Sequence, residues 1–191
     1  MDIVKFLWNS NIKINIHADT EEAFRLSCEN GNLDVVKFLW SLNQDINIHA
    51  LNDAAFIESC QNGHLDIVKF LWSLNKNINI HANNEEAFRI SCRCGNLDIV
   101  KFLWSLNQDI DIHANNEEAF RLSCRYGKLE IVKFLWSLNQ DINIHVDNER
   151  ILRQSCVNGN KEMIKFLITI YNQENNYKYL EILNRYPHIN L

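Results

Sequence analysis

Five histidines, His17, His49, His81, His113 and His145, stand 32 residues apart, and five cysteines, Cys28, Cys60, Cys92, Cys124 and Cys156, keep the same interval. Imidazole and thiolate are good metal ligands, and a thiol beside an imidazole is a nucleophile. A metal needs three or four donors around one centre, and a nucleophile must touch its base. Residues holding one position in successive stacked units lie about 10 Å apart, the thickness of a helix layer. Neither ladder can therefore gather its own members round an ion, and adjacent cysteines are too far apart to bridge. Nothing in the sequence brings Ser91 or Cys92 to His113. There is no glycine-rich phosphate loop, and Cys92 and Cys94 are separated by a single residue, short of metal-ligand spacing. We expect no catalytic residue, no metal and no cofactor. Each histidine is expected to make a local hydrogen bond in a loop, with a modest pH response as a secondary outcome. Six unbridged thiols fit a reduced, intracellular, cytoplasmic setting, and Cys94, outside the ladder, reads as a surface thiol.

A third ladder is basic. Arg25, Arg89, Arg121 and Arg153 recur at one position, where the second unit has Ile57, and Arg93 and Arg125 follow four residues after Arg89 and Arg121. Residues four apart share a helix face, so these four arginines should form a basic patch across two units, extended by Arg153. Tyr126 and Lys128 add an aromatic ring and a positive group near the same turn. Glu85 and Glu117 stand four residues before Arg89 and Arg121, and the competing expectation is that they neutralise them along the helix. The net charge of -5 gives no overall reason to bind nucleic acid or an anionic membrane. The apolar stretches are too short to span a bilayer.

These ladders are positioned by a repeat. Residues 82–113 are followed by a copy differing at five of 32 positions, and further units occupy 18–49 and 50–81. The chain opens in mid-unit: Asp2 to Trp8 aligns with Asp34 to Trp40, so residues 1–17 form a partial unit, either a minimal end or a fragment of something longer. A diverged unit covers 146–177, and 178–191 reads as a tail whose Tyr179, Leu180 and Leu183 suit a short covering helix. All five glycines fall at one unit position, which implies a left-handed backbone or a close approach there. Glu86 to Arg93 reads as a helix of about two turns, with Asn83 and Glu86 in capping-box spacing, repeated by Asn115 and Glu118. Asn96 is placed to cap a second helix whose buried side is Ile99, Val100, Phe102, Leu103 and Leu106. Trp104 and Trp136 read as core. The link from Asn107 to Ala114 is expected to be an outward-projecting, hairpin-like finger anchored by Ile110 and Ile112.

The string NEEAFRISCRCGNLDIVKFLWSLNQDIDI resembles the ankyrin repeat. Glu86 to Arg89 stand where that family has threonine-proline-leucine-histidine, Ser91 and Cys92 at its alanine pair, and Gly95-Asn96 at its glycine-histidine, which Gly63-His64 keeps intact. Ile99-Val100 and Leu103-Trp104 match the aliphatic pairs, Asn107-Gln108 the glycine-alanine, and Asp111 the terminal asparagine. The period is one residue short of the family's 33, and the threonine-proline start is gone. The repeat, with its KFLWSLN phrase, is also similar to the ankyrin families of giant DNA viruses, which would place it in host cytoplasm. The resemblance implies an all-α solenoid of stacked helix-turn-helix units joined by finger loops, forming a single domain over 1–191. It also implies non-catalytic protein binding on the concave face, with Arg89, Arg93, Arg121, Arg125, Tyr126 and Arg153 the candidate contacts for an acidic protein surface. Nucleic-acid binding by the same face, or a structural fragment with no independent function, ranks below it.

Overall fold

The computed structural model describes residues 2–10, 14–42, 45–74, 77–107, 109–138, 141–174, 176–187 and 189; the side chains of Asp2, Ile3 and Leu7 lie outside the description. Gln108 and parts of the expected first unit and tail also fall outside it. The described residues form helices and turns without a strand. In order the helices are α1 (Asp2–Asn9), α2 (Ala18–Glu29), α3 (Leu33–Leu42), α4 (Ala50–Asn62), α5 (Leu65–Leu74), α6 (Ala82–Cys94), α7 (Leu97–Leu106), α8 (Ala114–Arg125), α9 (Leu129–Ser137), α10 (Val146–Val157), α11 (Lys161–Gln173) and α12 (Lys178–Leu183). The architecture is a solenoid: α2, α4, α6, α8 and α10 stack in a row, each backed by the helix that follows it, and α12 covers α10.

Side-chain size sets this arrangement. Ala55, Ala87 and Ala119 with Ser59, Ser91, Ser123 and Ser155 are small and buried, so first helices approach closely. The Ser123 hydroxyl donates to the Ala119 carbonyl at 2.8 Å and lies 3.3 Å from the Cys92 carbonyl one unit back, so the buried hydroxyl is satisfied within the stack. Phe24, Phe56, Phe88 and Phe120 fill the space beneath, and Ile99, Val100 and Leu103 close it from the second helix. Burying each such side chain contributes about 1.5–3 kcal/mol, and in a solenoid that burial comes from the neighbouring unit. Phe102 and Leu106 are only partly buried, as are Trp104 and Trp136, which pack against the core.

Glycine is required on two counts. Gly31 has φ +75°, and a Cβ there would sit 2.5 Å from the His64 imidazole of the next unit. Gly159, in the last unit, keeps a positive φ but faces open space. Where His64 closes over Gly31, Asn96 closes over Gly63, and its amide donates to the Cys60 and Gln61 carbonyls at 2.7 and 2.9 Å. Asn96 therefore ties units together and does not cap α7 through its side chain.

Two local expectations change. Ile110 and Ile112 are both buried while Asp109 and Asp111 are exposed. The link is thus a connector pinned into the stack, and its register is closed by Asp111 Oδ1, which accepts the His113 N–H at 3.0 Å. The capping box is replaced by a left-handed turn: Asn83, Asn84 and Glu85 have φ of 52, 57 and 65°, and the same three positions are left-handed in every full unit. Asn83 instead donates its side-chain amide to Glu86 Oε2 at 2.8 Å. Consecutive left-handed residues are costly for L-amino acids and least so for asparagine and aspartate, so something must hold the turn.

Candidate interaction surface

Two sets of side chains hold it, and both come from the ladders. The third left-handed residue is acidic and buried as Glu21, Glu85, Glu117 and Glu149. Glu85 Oε1 lies 2.8 Å from His81 Nδ1, four residues before it, and accepts the Asp111 backbone N–H of the next connector at 3.3 Å. Glu21 and Glu117 do the same with His17 and Asn47, and with His113 and Asn143. The histidine ladder is thus a row of local hydrogen-bond partners for buried carboxylates. Among the described residues no group of three or more His, Cys, Asp or Glu is placed to hold a metal.

The second set is the arginines. Arg89 donates from Nε to the Asn84 carbonyl at 2.6 Å and from Nη2 to the Asn83 carbonyl at 2.9 Å. Arg121 repeats this on Asn116 and Asn115, Arg25 on Thr20 and Asp19, and Arg153 reaches Asp147. Those carbonyls cannot be satisfied in a right-handed ladder while the backbone is left-handed, and a guanidinium fork reaches two at once. Glu85 and Glu117 do not pair with these arginines along the helix, because the left-handed turn aims them inward at histidine. Arg89 is neutralised instead across the stack, by Glu118 of the next unit.

Arg93 and Arg125 are exposed, and among the described residues neither enters an ion pair. The Arg125 guanidinium lies 5.6 Å from the centre of the Tyr126 ring, which is 51% exposed. A groove between α6 and α8 is lined by Glu86, Arg89, Ile90, Arg93, Glu118 and Leu122. The structure adds Arg150, which stands in the last unit at the position Glu118 holds in the one before, with Asp147 Oδ2 at 3.3 Å. Its register against Glu118 is the signal the sequence carries for it. A cleft beside it is lined by Asp147, Arg150, Arg153, Gln154, Val157 and Tyr186.

The C-terminal end closes differently. Glu149 accepts the Tyr171 hydroxyl, with Lys178 Nζ at 3.8 Å. His145 joins Glu149 and Glu174, both at 2.8 Å, and stands edge-on to Tyr171. Burial alone would lower the imidazole pKa, but hydrogen bonds to the two carboxylates outweigh it and the net shift is upward. Burial pushes the Cys28 thiol up to about 12 and raises Cys60, Cys92, Cys124 and Cys156 as well, so these thiols are packing groups and poor nucleophiles. No helix among the described residues is long and apolar enough to cross a membrane.

Comparison with known proteins agrees with this geometry. The family description "Ankyrin repeats (3 copies)" matches residues 28–116 and again 90–179. No curated protein sequence matches the chain. Among solved structures, the crystal structure of the human ASB11 ankyrin repeat domain is similar at 18% identity with a TM-score of 0.62, over 77% of this chain and 68% of that one. A likeness at that identity concerns the fold alone. The ankyrin repeat is a non-catalytic protein-interaction module, and with its repeats matched over most of its length this chain belongs to the ankyrin-repeat family.

Proposed function

We propose that the protein is a recognition scaffold that binds an acidic segment of a partner protein along the open side of its stacked first helices. The observation that carries this reading is the pair Arg93 and Arg125, exposed at equivalent positions of adjacent units beside Tyr126. Guanidinium groups give directional, charge-assisted hydrogen bonds to carboxylates, and arginine beside tyrosine is the composition of binding hot spots. Arg153 and Arg150 extend the basic row, whereas Arg89 and Arg121 support it from behind through their turns. The array acts as one domain, with 18–49, 50–81, 82–113 and 114–145 as full units, 146–177 diverged and 178–191 covering the end. The unbridged thiols suit an intracellular setting. The likeness of the repeat to giant-virus ankyrin families suggests a host protein as partner.

The test is affinity capture from cell lysate at low and physiological salt, comparing the protein with its R93E/R125E variant. These two positions leave the turn clamps intact, so folding is preserved. A specific protein retained by the unaltered form and lost by the variant supports the reading. Equal retention overturns the arginine face, and retention of nucleic acid that falls steeply with salt transfers the face to a nucleic-acid role.

A further inference from the structure

One unit departs from the others on the same surface at three places at once. Where the other units carry Asp19, Asn83, Asn115 or Asp147, unit 50–81 has Leu51; where they carry Glu22, Glu86, Glu118 or Arg150 it has Ala54; and where they carry arginine it has Ile57. In the other units the arginine reaches the carbonyl of the first of these positions, and in unit 50–81 Ile57 has no donor to do so. Leu51 is 57% exposed and held at φ 53°, a conformation that suits leucine poorly. An exposed apolar side chain in an unfavourable backbone state, with its clamp removed, serves no purpose in stacking. Leu26, 45% exposed, lies in the preceding unit at the position of the groove residue Ile90, and Ala54 and Ile57 hold the positions of the groove residues Glu86 and Arg89.

Charge is segregated along the same row. On that row units 18–81 carry Glu22, Glu29 and Glu58 against Arg25, while the later units carry Arg89, Arg93, Arg121, Arg125, Arg150 and Arg153 against Glu86 and Glu118, so the balance is acidic in the first half and basic in the second. An acidic segment lying over the arginines would be repelled if its charges continued over the first half. We infer that Leu51, Ala54 and Ile57, with Leu26, form an apolar anchor site for the same partner segment, whose acidic residues lie over units 82–157. This inference rests on the basic-face reading given above. Units repeat about every 10 Å and an extended peptide rises about 3.3 Å per residue. About three residues therefore span one unit, and the anchoring residue stands about six from the acid that meets Arg125.

The probes are fluorescein-labelled peptides with one leucine and glutamates at the third, sixth and ninth positions from it, in either chain direction, each with a serine control in place of leucine. Fluorescence anisotropy is read on the wild type, on L51N/A54E/I57R and on R93E/R125E. The triple variant restores the sequence of the neighbouring units, so it folds, with its thermal midpoint at or above wild type. Wild type is expected to prefer leucine over serine by about tenfold in one direction. The triple variant should bind both alike; any repulsion from the new glutamate cancels in that ratio. A leucine preference that survives in the triple variant, or that wild type lacks, overturns the anchor site while leaving the basic face standing. Undiminished binding of every peptide by R93E/R125E overturns the basic face instead, and absence of binding to wild type overturns both.

Discussion

Arg89 reaches back five residues to place its Nε 2.6 Å from the carbonyl of Asn84, inside a turn whose three residues all have positive φ. This relationship gives the most conspicuous basic ladder a structural duty. It separates Arg89 and Arg121, which hold backbone, from Arg93 and Arg125, which face solvent.

Replacing Arg121 with alanine should therefore destabilise the protein by roughly 1–3 kcal/mol, since hydrogen bonds from a charged donor to two strained carbonyls are lost. Arg125→Ala should leave stability within about 0.5 kcal/mol. Urea denaturation of both variants checks this; equal loss in the two would contradict the clamp.

The buried Glu117 predicts a second asymmetry. Its Oε1 accepts from the Asn143 backbone and meets His113, while its Oε2 has no hydrogen-bond partner. Glu117→Gln keeps the accepting oxygen and should cost little, whereas Glu117→Ala takes the charged acceptor from the Asn143 N–H at about 1–3 kcal/mol. Hydrogen exchange at Asn143 is the direct readout, faster in the alanine variant alone.

At the C-terminal end the prediction concerns pH. The folded His145 pKa lies above its ordinary value of 6.5 through Glu149 and Glu174. A raised folded value means that the folded state binds the proton more tightly, so this stabilisation is full below pH 6.5 and is lost as pH rises through the folded value. The charged and titratable neighbours are Glu149, Glu174, Tyr171 and Lys178. The thermal midpoint of wild type should exceed that of His145→Gln most at pH 5.5, and the gap should shrink by pH 8.5. A gap that widens with pH would refute the linkage.

Gly31→Ala and Gly159→Ala share the cost of a positive φ, about 1–2 kcal/mol, but only the first drives a methyl group into the next unit's imidazole. Gly31→Ala should be the more damaging by about 1 kcal/mol or more in chemical denaturation. Equal effects would mean that backbone conformation alone explains the glycine ladder.

Much of this molecule was legible in the sequence because a 32-residue period repeats every requirement several times. The glycine position, the small Ser and Cys pair and the buried Ile99, Val100 and Leu103 follow from local spacing and from burial between identical neighbours. The left-handed turn was not legible. Asn83 and Glu86 have the spacing of a helix cap, and local propensity cannot separate that cap from a turn held by arginine five residues on and by a carboxylate that bonds the next connector. Charge pairing was likewise decided by the stack. Arg89 meets Glu118, 29 residues away in sequence, because adjacent units bring those positions together, while Arg121 has Arg150 at that register. The sequence determined the unit and its core, since those depend on contacts that every copy makes. Only the tertiary structure decided which arginines are backbone clamps and which face solvent, since that depends on where a carbonyl or carboxylate of another turn comes to lie.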